Sequence, residues 1–305
     1  MTQVREPADV QDGGEDVRPD RPRPASRWWR SRNDAREHAL PAASRDEHLQ
    51  LLADVGHELK SPLSIMLALC TRLETAGRLD EADAADVARI RANAYSMVRR
   101  VQDLMLMARL ESPEPQLEAA VVDVAAIVRA CVDGFASVAA ERDLELRTAV
   151  PAALPAVADE EKLVSVVSNL VANAIRHAAP GGLVRCSLAA APGTLILEVA
   201  DDGPGVPPEQ RATIFERYHR GTLSSGTGLG LAIVGEIAAL HGGSVAVGDA
   251  PEGGALFTFE LPLRRSRASA AAGRTTGPPS LVLADRQRPI VEELRDQLDS
   301  ASEPA

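Results

Sequence analysis

Two stretches between positions 45 and 112 repeat apolar residues in alternating steps of three and four, as paired helices do. The first apolar series is Leu49, Leu52, Gly56, Leu59, Leu63, Met66, Cys70 and Leu73. The second, in a helix predicted to begin near Asp80, is Val87, Ile90, Ala94, Met97, Val101, Leu104 and Ala108. Thr75–Leu79 predicts the turn between the helices, and Pro113 and Pro115 end the second one. Residues 45–112 are therefore predicted to form an antiparallel helical hairpin.

A single hairpin of this kind is not expected to be stable alone. It can bury only a modest apolar surface, whereas ordering so long a segment costs much conformational entropy. Two copies that form a four-helix bundle would bury both seams, so we predict a homodimer.

From about Val121 the pattern changes to a mixture of strands and helices. Several strands alternate apolar with polar residues, and the predicted strands are Leu144–Val150, Val184–Ala190, Thr194–Ala200, Ser244–Val247 and Ala255–Leu261. Predicted helices are Val124–Ala140, Asp159–Ala178 and Gly228–His241. Residues 117–263 thus indicate an α/β sandwich, a mixed sheet with helices on one face, and the whole chain is predicted to be α+β.

The bulk composition narrows the classes of function. A net charge of -11 and a pI near 5.1 argue against a nucleic-acid-binding protein. The three cysteines show no metal-ligand spacing and are typical of reduced, buried thiols in a cytoplasmic protein. No apolar window of about 18 residues and no signal-peptide layout occurs, so we expect no transmembrane segment. Either the whole protein is soluble, or its sensing part is a separate protein.

Residues 1–44 are predicted to be a disordered tail, because they are rich in Pro, Asp, Gly and Arg without an apolar period. Within them, Arg21–Arg32 combines five arginines with Trp28 and Trp29 and contains no acid. This composition suits an anionic membrane surface, which would attach a cytoplasmic protein peripherally, or an acidic partner. A solvated tail without function is the alternative.

The first helix of the hairpin carries a candidate reactive centre. His57, Glu58, Lys60 and Ser61 lie within five consecutive residues. His57 follows the seam position Gly56, which should place it on the flank of the helix pair. A neutral imidazole is a good nucleophile near pH 7, and the neighbouring carboxylate of Glu58 can take its proton. The alternative is a surface histidine without a role.

Three further motifs lie in the predicted sandwich. Asn169 and Asn173 lie one turn apart beside the apolar face of the helix that begins near Asp159, although Asn is a poor helix former. Asp201 ends a strand and is followed by Gly203 and Gly205, a pattern that is also common in plain turns. Residues 226–231, Gly-Thr-Gly-Leu-Gly-Leu, open an apolar helix, whose free N–H groups could bind an anion.

Taken in order, five segments resemble the motifs of sensor histidine kinases across roughly residues 45–263. HELKSPL resembles the H box, NLVANAIRH the N box, DDGPG the Asp-x-Gly-x-Gly pattern, IFERY the F box and GTGLGL the G2 box. The resemblance implies a dimeric phosphoacceptor hairpin followed by the ATP-binding fold that histidine kinases share with gyrase.

The same resemblance implies roles for individual residues. His57 would accept the γ-phosphoryl group of ATP and Glu58 its proton, while Ser61 occupies the position where Thr or Asn often supports phosphatase activity. Asn173, with Asn169, would hold Mg2+. The other implied ATP-binding residues are Arg176, His177, Asp201, Gly203, Gly205, Phe215, Arg217, Arg220, Gly226, Thr227, Gly228, Leu229 and Gly230. Among these, Asp201 would accept a hydrogen bond from the adenine amino group, and Phe215 would pack under the lid.

The function implied by the resemblance is an ATP-dependent protein-histidine autokinase. It would pass the phosphoryl group from His57 to an aspartate in the receiver domain of a response regulator. A catalytically silent, ATP-binding dimeric scaffold is the alternative. A serine kinase of the anti-sigma type shares the ATP fold but lacks a histidine-bearing hairpin, so residues 49–108 disfavour that class.

Residues 264–305 are predicted to be a low-complexity linker and a C-terminal tail. Leu281–Leu298 partly resembles the first strand and helix of a receiver domain, but it has only Asp285 where receivers usually have an acidic pair. We interpret it as a tail that can form a helix.

Overall fold

The computed structural model describes residues 42–77, 79–110, 112, 115–217, 228–263 and 281–302, without the side chains of 42–54, 57, 281–285 and 299–302. In chain order the elements are α1 Ala42–Thr75, α2 Glu81–Leu110, β1 Ala120–Asp123, α3 Val124–Asp133, α4 Ala136–Glu141, β2 Glu145–Ala149, β3 Pro155–Ala158, α5 Glu160–His177, β4 Leu183–Ala191, β5 Thr194–Asp201, α6 Gly230–Leu240, β6 Ser244–Asp249, β7 Ala255–Pro262 and α7 Leu281–Ser302. The predicted α+β class, a helical hairpin followed by an α/β sandwich, is confirmed.

The hairpin consists of α1 and α2, joined by a short turn. Gly77 adopts a positive φ of 61° there, a conformation that glycine reaches without strain. Asp80 caps the start of α2, since its Oδ1 accepts a hydrogen bond from the Asp83 amide at 2.8 Å. Near the same end, Arg91 Nη1 lies 2.9 Å from Glu74 Oε2 across the two helices.

The two apolar seams divide into a buried half and an exposed half. Gly56, Leu63 and Cys70 on α1 and Val87, Ala94 and Ala108 on α2 are buried, each series spaced in multiples of seven. The intervening members Leu59, Met66, Leu73, Ile90, Met97 and Leu104 remain 39% to 56% exposed. The hairpin therefore has a second apolar stripe on its surface, which neither α1 nor α2 covers.

The main sheet has five strands in the order β2-β4-β5-β7-β6. β2 pairs parallel with β4, and the other neighbours are antiparallel, so the sheet is mixed as predicted. Alternate residues of β5 and β7 are buried against the helices, and Phe257 and Phe259 form the centre of this core. All five predicted main-sheet strands are present within about two residues of their expected ends.

Two features of this region differ from the prediction. The helix expected over Val124–Ala140 is two helices, because the chain turns at Gly134 and Phe135 and carries the Phe135 side chain into the core. A small antiparallel pair, β1 with β3, was not predicted from the sequence. Four-residue strands are too short to show a clear period.

The C-terminal segment forms a long helix, α7, that packs against both α2 and α5. Ile290, Val291 and Leu294 are buried, and they belong to the main hydrophobic core. The sequence predicted a tail that can form a helix. In the structure this helix packs against the rest of the protein. Within the described ranges, no helix combines the length and apolarity that crossing a bilayer requires.

Candidate active site

Asp201 lies inside the molecule because it continues the pleat of β5. Leu195, Leu197 and Val199 face the helices, and the next residue in that alternation is Asp201, which is 1% exposed. Its Oδ1 accepts hydrogen bonds from the Gly203 amide at 3.0 Å and the Ala255 amide at 3.3 Å. Its Oδ2 is buried and has no hydrogen-bond partner among the described residues. Burial raises the pKa of Asp201, which means that the charged carboxylate is costly at this position.

Gly203 brings the end of β5 against the end of α5. A Cβ atom at this position would collide with the backbone carbonyl of His177, so only glycine permits the contact. Gly205 adopts a φ of 72°, which again favours glycine. The sequence pattern Asp-x-Gly-x-Gly thus has a steric basis in the structure.

Asn169 joins α5 to the start of α6. Its Nδ2 donates to the Ser165 carbonyl at 2.9 Å, which directs Oδ1 away from the helix. A Cβ on Gly230 would lie 2.5 Å from this oxygen, so Gly230 lies directly against the asparagine. Asn173, one turn further along α5, is partly buried. The N-box helix and the end of the G2 loop are therefore neighbours.

Arg176 and His177 lie at the C-terminal end of α5. Arg176 Nε donates to Gln297 Oε1 at 3.0 Å, whereas its buried Nη2 finds no partner in the part of the chain that the structure describes. Burial, assisted by the charge of Arg99, lowers the pKa of Arg176 to about 10. Burial likewise lowers the pKa of His177. An anion would relieve the buried charge of Arg176.

Of the other residues predicted to bind ATP, the structure describes some and leaves three outside its described ranges. Phe215 is buried and contacts Phe257 edge-on, with ring centroids 6.3 Å apart, so it packs on the sheet core. Arg217 is partly buried, Gly228 has a φ of 70°, and Leu229 is buried. Arg220, Gly226 and Thr227 lie outside the described residues.

The predicted reactive centre lies near the middle of α1. Glu58 and Ser61 are exposed, while the His57 side chain falls outside the description. Gly56 is buried against the side chain of Met105 of α2, which would have to shift to admit a Cβ there. Because His57 is one residue further, about 100° around the helix, its backbone position is on the flank of the hairpin.

Sequence reasoning missed the residues that cover Asn169. Arg99 of α2 donates from Nη2 to Asn169 Oδ1 at 3.1 Å and from Nη1 to Glu293 Oε2 of α7 at 2.6 Å. Gln297 connects Glu293 to Arg176. The spacing of Arg99 and Asp103 could have indicated an i,i+4 ion pair, but nothing in the sequence shows that it is buried.

The geometry fits a nucleotide bound with a cation. Asp201 offers a buried acceptor for an amino group, Arg176 a buried donor for phosphate, and Asn169 and Asn173 provide amide groups on the same helix. Within the described ranges, no three His, Cys, Asp or Glu side chains form a metal cluster. A hard cation here would depend on amide and phosphate oxygens, which suits Mg2+.

Comparison with known proteins places both regions in characterised families. Residues 47–113 match the family model of the His Kinase A (phospho-acceptor) domain. Residues 158–265 match that of the histidine kinase-, DNA gyrase B- and HSP90-like ATPases.

Curated relatives and a solved structure agree with these matches. The sensor histidine kinase TmoS of Ectopseudomonas mendocina is 35% identical over 69% of this chain, and the probable sensor histidine kinase TcrY of Mycobacterium tuberculosis is 36% identical over 70%. The chain spans 22% of the length of TmoS and 46% of TcrY. The crystal structure of full-length ShkA in complex with AMPPNP matches with a TM-score of 0.60 and 31% identity, over 79% of this chain and 54% of ShkA. Motif order, fold and sequence similarity together show that the chain belongs to the histidine kinase family of two-component signalling.

Proposed function

We propose that this chain is an ATP-dependent protein-histidine autokinase that phosphorylates His57. The observation that carries the proposal is the Asp201 carboxylate, which is buried at the end of β5 with one oxygen that has no hydrogen-bond donor among the described residues. Such a group is costly unless a ligand completes it. The exocyclic amino group of adenine is a donor of the required kind.

The neighbouring residues extend this site toward phosphate. Arg176 has a buried nitrogen without a partner in the described ranges, and the N-terminus of α6 begins at Gly230 beside Asn169. Free N–H groups at a helix N-terminus favour an anion. The similarity to ShkA, whose structure contains AMPPNP, supports ATP as the ligand.

Asn169 and Asn173 are the residues that would hold Mg2+, which neutralises phosphate charge when it is bound. Arg176 would contact the phosphates directly, and we assign His177 the same side of the site. Arg217, Arg220 and the loop from Gly226 complete the predicted phosphate contacts.

The transfer itself requires few residues. A neutral nitrogen of His57 attacks the γ-phosphorus of ATP, a P–N bond forms, and the bond to the ADP oxygen breaks. Glu58 accepts the imidazole proton. Positioning by the ATP site accounts for most of the rate, because phosphoryl transfer needs little covalent assistance. The phosphoryl group then passes to an aspartate of a response-regulator receiver domain, and Ser61 is exposed at the surface where this partner would dock.

We propose a homodimer because the hairpin leaves half of each seam uncovered. The exposed stripe of Leu59, Met66, Leu73, Ile90, Met97 and Leu104 continues the heptad pattern of the buried half. A second hairpin would bury it in a four-helix bundle. The family model matched at residues 47–113 supports this assembly.

We further propose a cytoplasmic location, where ATP and receiver domains are available. Cys70, Cys131 and Cys186 are all free and buried, in keeping with a reducing compartment. Peripheral attachment through Arg21–Arg32 and a separate sensor protein remain predictions, and that segment lies outside the described residues.

Labelling with γ-labelled ATP and Mg2+ tests the kinase proposal. The wild-type chain should acquire label that survives alkali and is lost in acid, and His57→Gln should abolish it. His48→Gln is the matched control, because His48 is also in α1 and should leave labelling unchanged. Nucleotide binding without label in the wild type would instead support the silent scaffold.

A further inference from the structure

Helix α7 lies against the proposed phosphate side of the ATP site. It contacts α2 of the hairpin and α5, the helix that carries Asn169, Asn173 and Arg176. Glu293 projects from α7 into this contact and is 2% exposed. A carboxylate so deeply buried is stable only when paired.

Glu293 is the centre of a polar network, which we call the Glu293 cluster: Arg99, Asn169, Arg176, Glu293 and Gln297. Glu293 Oε2 accepts from Arg99 Nη1 at 2.6 Å, and Oε1 accepts from Gln297 Nε2 at 3.1 Å. Gln297 Oε1 accepts from Arg176 Nε at 3.0 Å. One acidic side chain of α7 thereby connects two arginines from different regions of the chain.

This network occupies the groups that a nucleotide with Mg2+ would need. Arg99 Nη2 donates to Asn169 Oδ1 at 3.1 Å, so the amide oxygen predicted to bind the cation already faces a guanidinium. A positive guanidinium and a divalent cation cannot share that oxygen, because their charges repel. Arg176, the predicted phosphate ligand, is held by Gln297 of α7.

We propose that α7 is a built-in competitor of Mg-ATP, which closes the site by holding Arg99 against Asn169 through Glu293. The inference rests on the proposed ATP-binding function and deepens it. Nucleotide binding displaces α7 from α5 and α2, and any factor that removes α7 activates the kinase.

The attachment of α7 is suited to reversible release. Among its described side chains, the buried apolar ones are Ile290, Val291 and Leu294, and its outer contacts include ion pairs such as Arg295 with Glu141, whose Nε and Oε2 lie 3.0 Å apart. Partly exposed ion pairs contribute little net stability. The buried Glu293 cluster is therefore the contact on which closure depends most.

Hydrogen exchange of the full chain tests the proposal without a substitution. A nonhydrolysable ATP analogue with Mg2+ should increase amide exchange across residues 286–298 while protecting residues around Asp201. Analogue binding that leaves 286–298 equally or more protected would overturn the competition. Absence of analogue binding, to the wild type and to the variants below, would overturn the ATP site as well.

A charge-neutral substitution tests the network itself. Glu293→Gln should bind the analogue roughly tenfold more tightly than the wild type, because loss of one charge-assisted hydrogen bond weakens the competing helix by about that factor. Glu292→Gln is the matched control: it makes the same change on the same helix, where Glu292 forms an ion pair with Arg295 of α7 itself. Equal affinities for the wild type and Glu293→Gln would overturn the proposal.

A double-mutant cycle separates this role from general loosening of the fold. Arg99→Gln should also tighten binding, and its effect should not add to that of Glu293→Gln, since both break the same contact. Leu294→Glu, which removes a fully buried apolar anchor of α7, provides a second route to release and should tighten binding too. Additive effects, or weaker binding in Arg99→Gln, would contradict the proposed closure.

Discussion

Replacement of Asp201 by Asn separates nucleotide binding from folding at a single buried position. The backbone amides of Gly203 and Ala255 both donate to Oδ1, so the Asn side chain keeps its oxygen there and places its NH2 where Oδ2 now lies. That NH2 would face the adenine amino group, donor against donor. Loss of one hydrogen bond to a charged acceptor is worth about 1.5 to 3 kcal/mol. We therefore expect affinity for ATP to fall by roughly 10- to 150-fold.

The same substitution should not destabilise the fold. Burial raises the pKa of Asp201, which means that the folded state disfavours its charge. This cost is present above the raised pKa and disappears as pH falls and the folded state takes up the proton, so a neutral Asn avoids it at pH 7. Asp201→Ala, by contrast, leaves two backbone N–H groups without an acceptor and should lose about 1 to 3 kcal/mol of unfolding free energy for each group that stays buried.

Isothermal titration with a nonhydrolysable ATP analogue and urea unfolding at pH 7 measure the two effects in parallel. The expected pattern is weak binding with unchanged or increased stability in Asp201→Asn, and reduced stability in Asp201→Ala. Wild-type affinity in Asp201→Asn would refute Asp201 as the adenine acceptor.

Two further substitutions test the junction between β5 and α5. Gly203→Ala should lower the free energy of unfolding by about 1 to 3 kcal/mol, because the new methyl group collides with the His177 carbonyl. Chemical denaturation measures this change, and unchanged stability would show that the backbone here moves freely. His177→Gln should make the free energy of unfolding depend less on pH on the acid side. The pKa of His177 in the folded state lies below its ordinary 6.5, so the unfolded chain binds an extra proton below that pH. The stability present above pH 6.5 is therefore lost as pH falls through the folded-state pKa, and Gln removes this loss. Urea unfolding between pH 5 and 8 checks this, and identical slopes for the two proteins would contradict it.

Much of the fold could be predicted because its elements carry strong local patterns. The three-four seams of α1 and α2 and the alternation in β4, β5 and β7 identify the elements without reference to their partners. Gly134 and Phe135 show where this fails, since the break between α3 and α4 serves the burial of Phe135 in the core. Burial of that side chain is a tertiary effect that overrides helix propensity.

The candidate site was predictable only where the motif is local. Asp201, Gly203 and Gly205 are adjacent in sequence, and the structure gives each a geometric reason for its place. The roles assigned to His57, Asn173 and the Gly226 loop stay predictions.

The sequence alone determined the family, the two-part architecture and the heptad seams, because these depend on residue patterns within one segment. Only the tertiary structure decided which half of each seam is buried, and that Glu293 of α7 meets Arg99 of α2 and, through Gln297, Arg176 of α5. Arg99 and Glu293 are 194 positions apart. A contact over that separation leaves no periodic trace in the sequence; it arises because the buried apolar residues of α7 pack against the core and carry the carboxylate to the arginine.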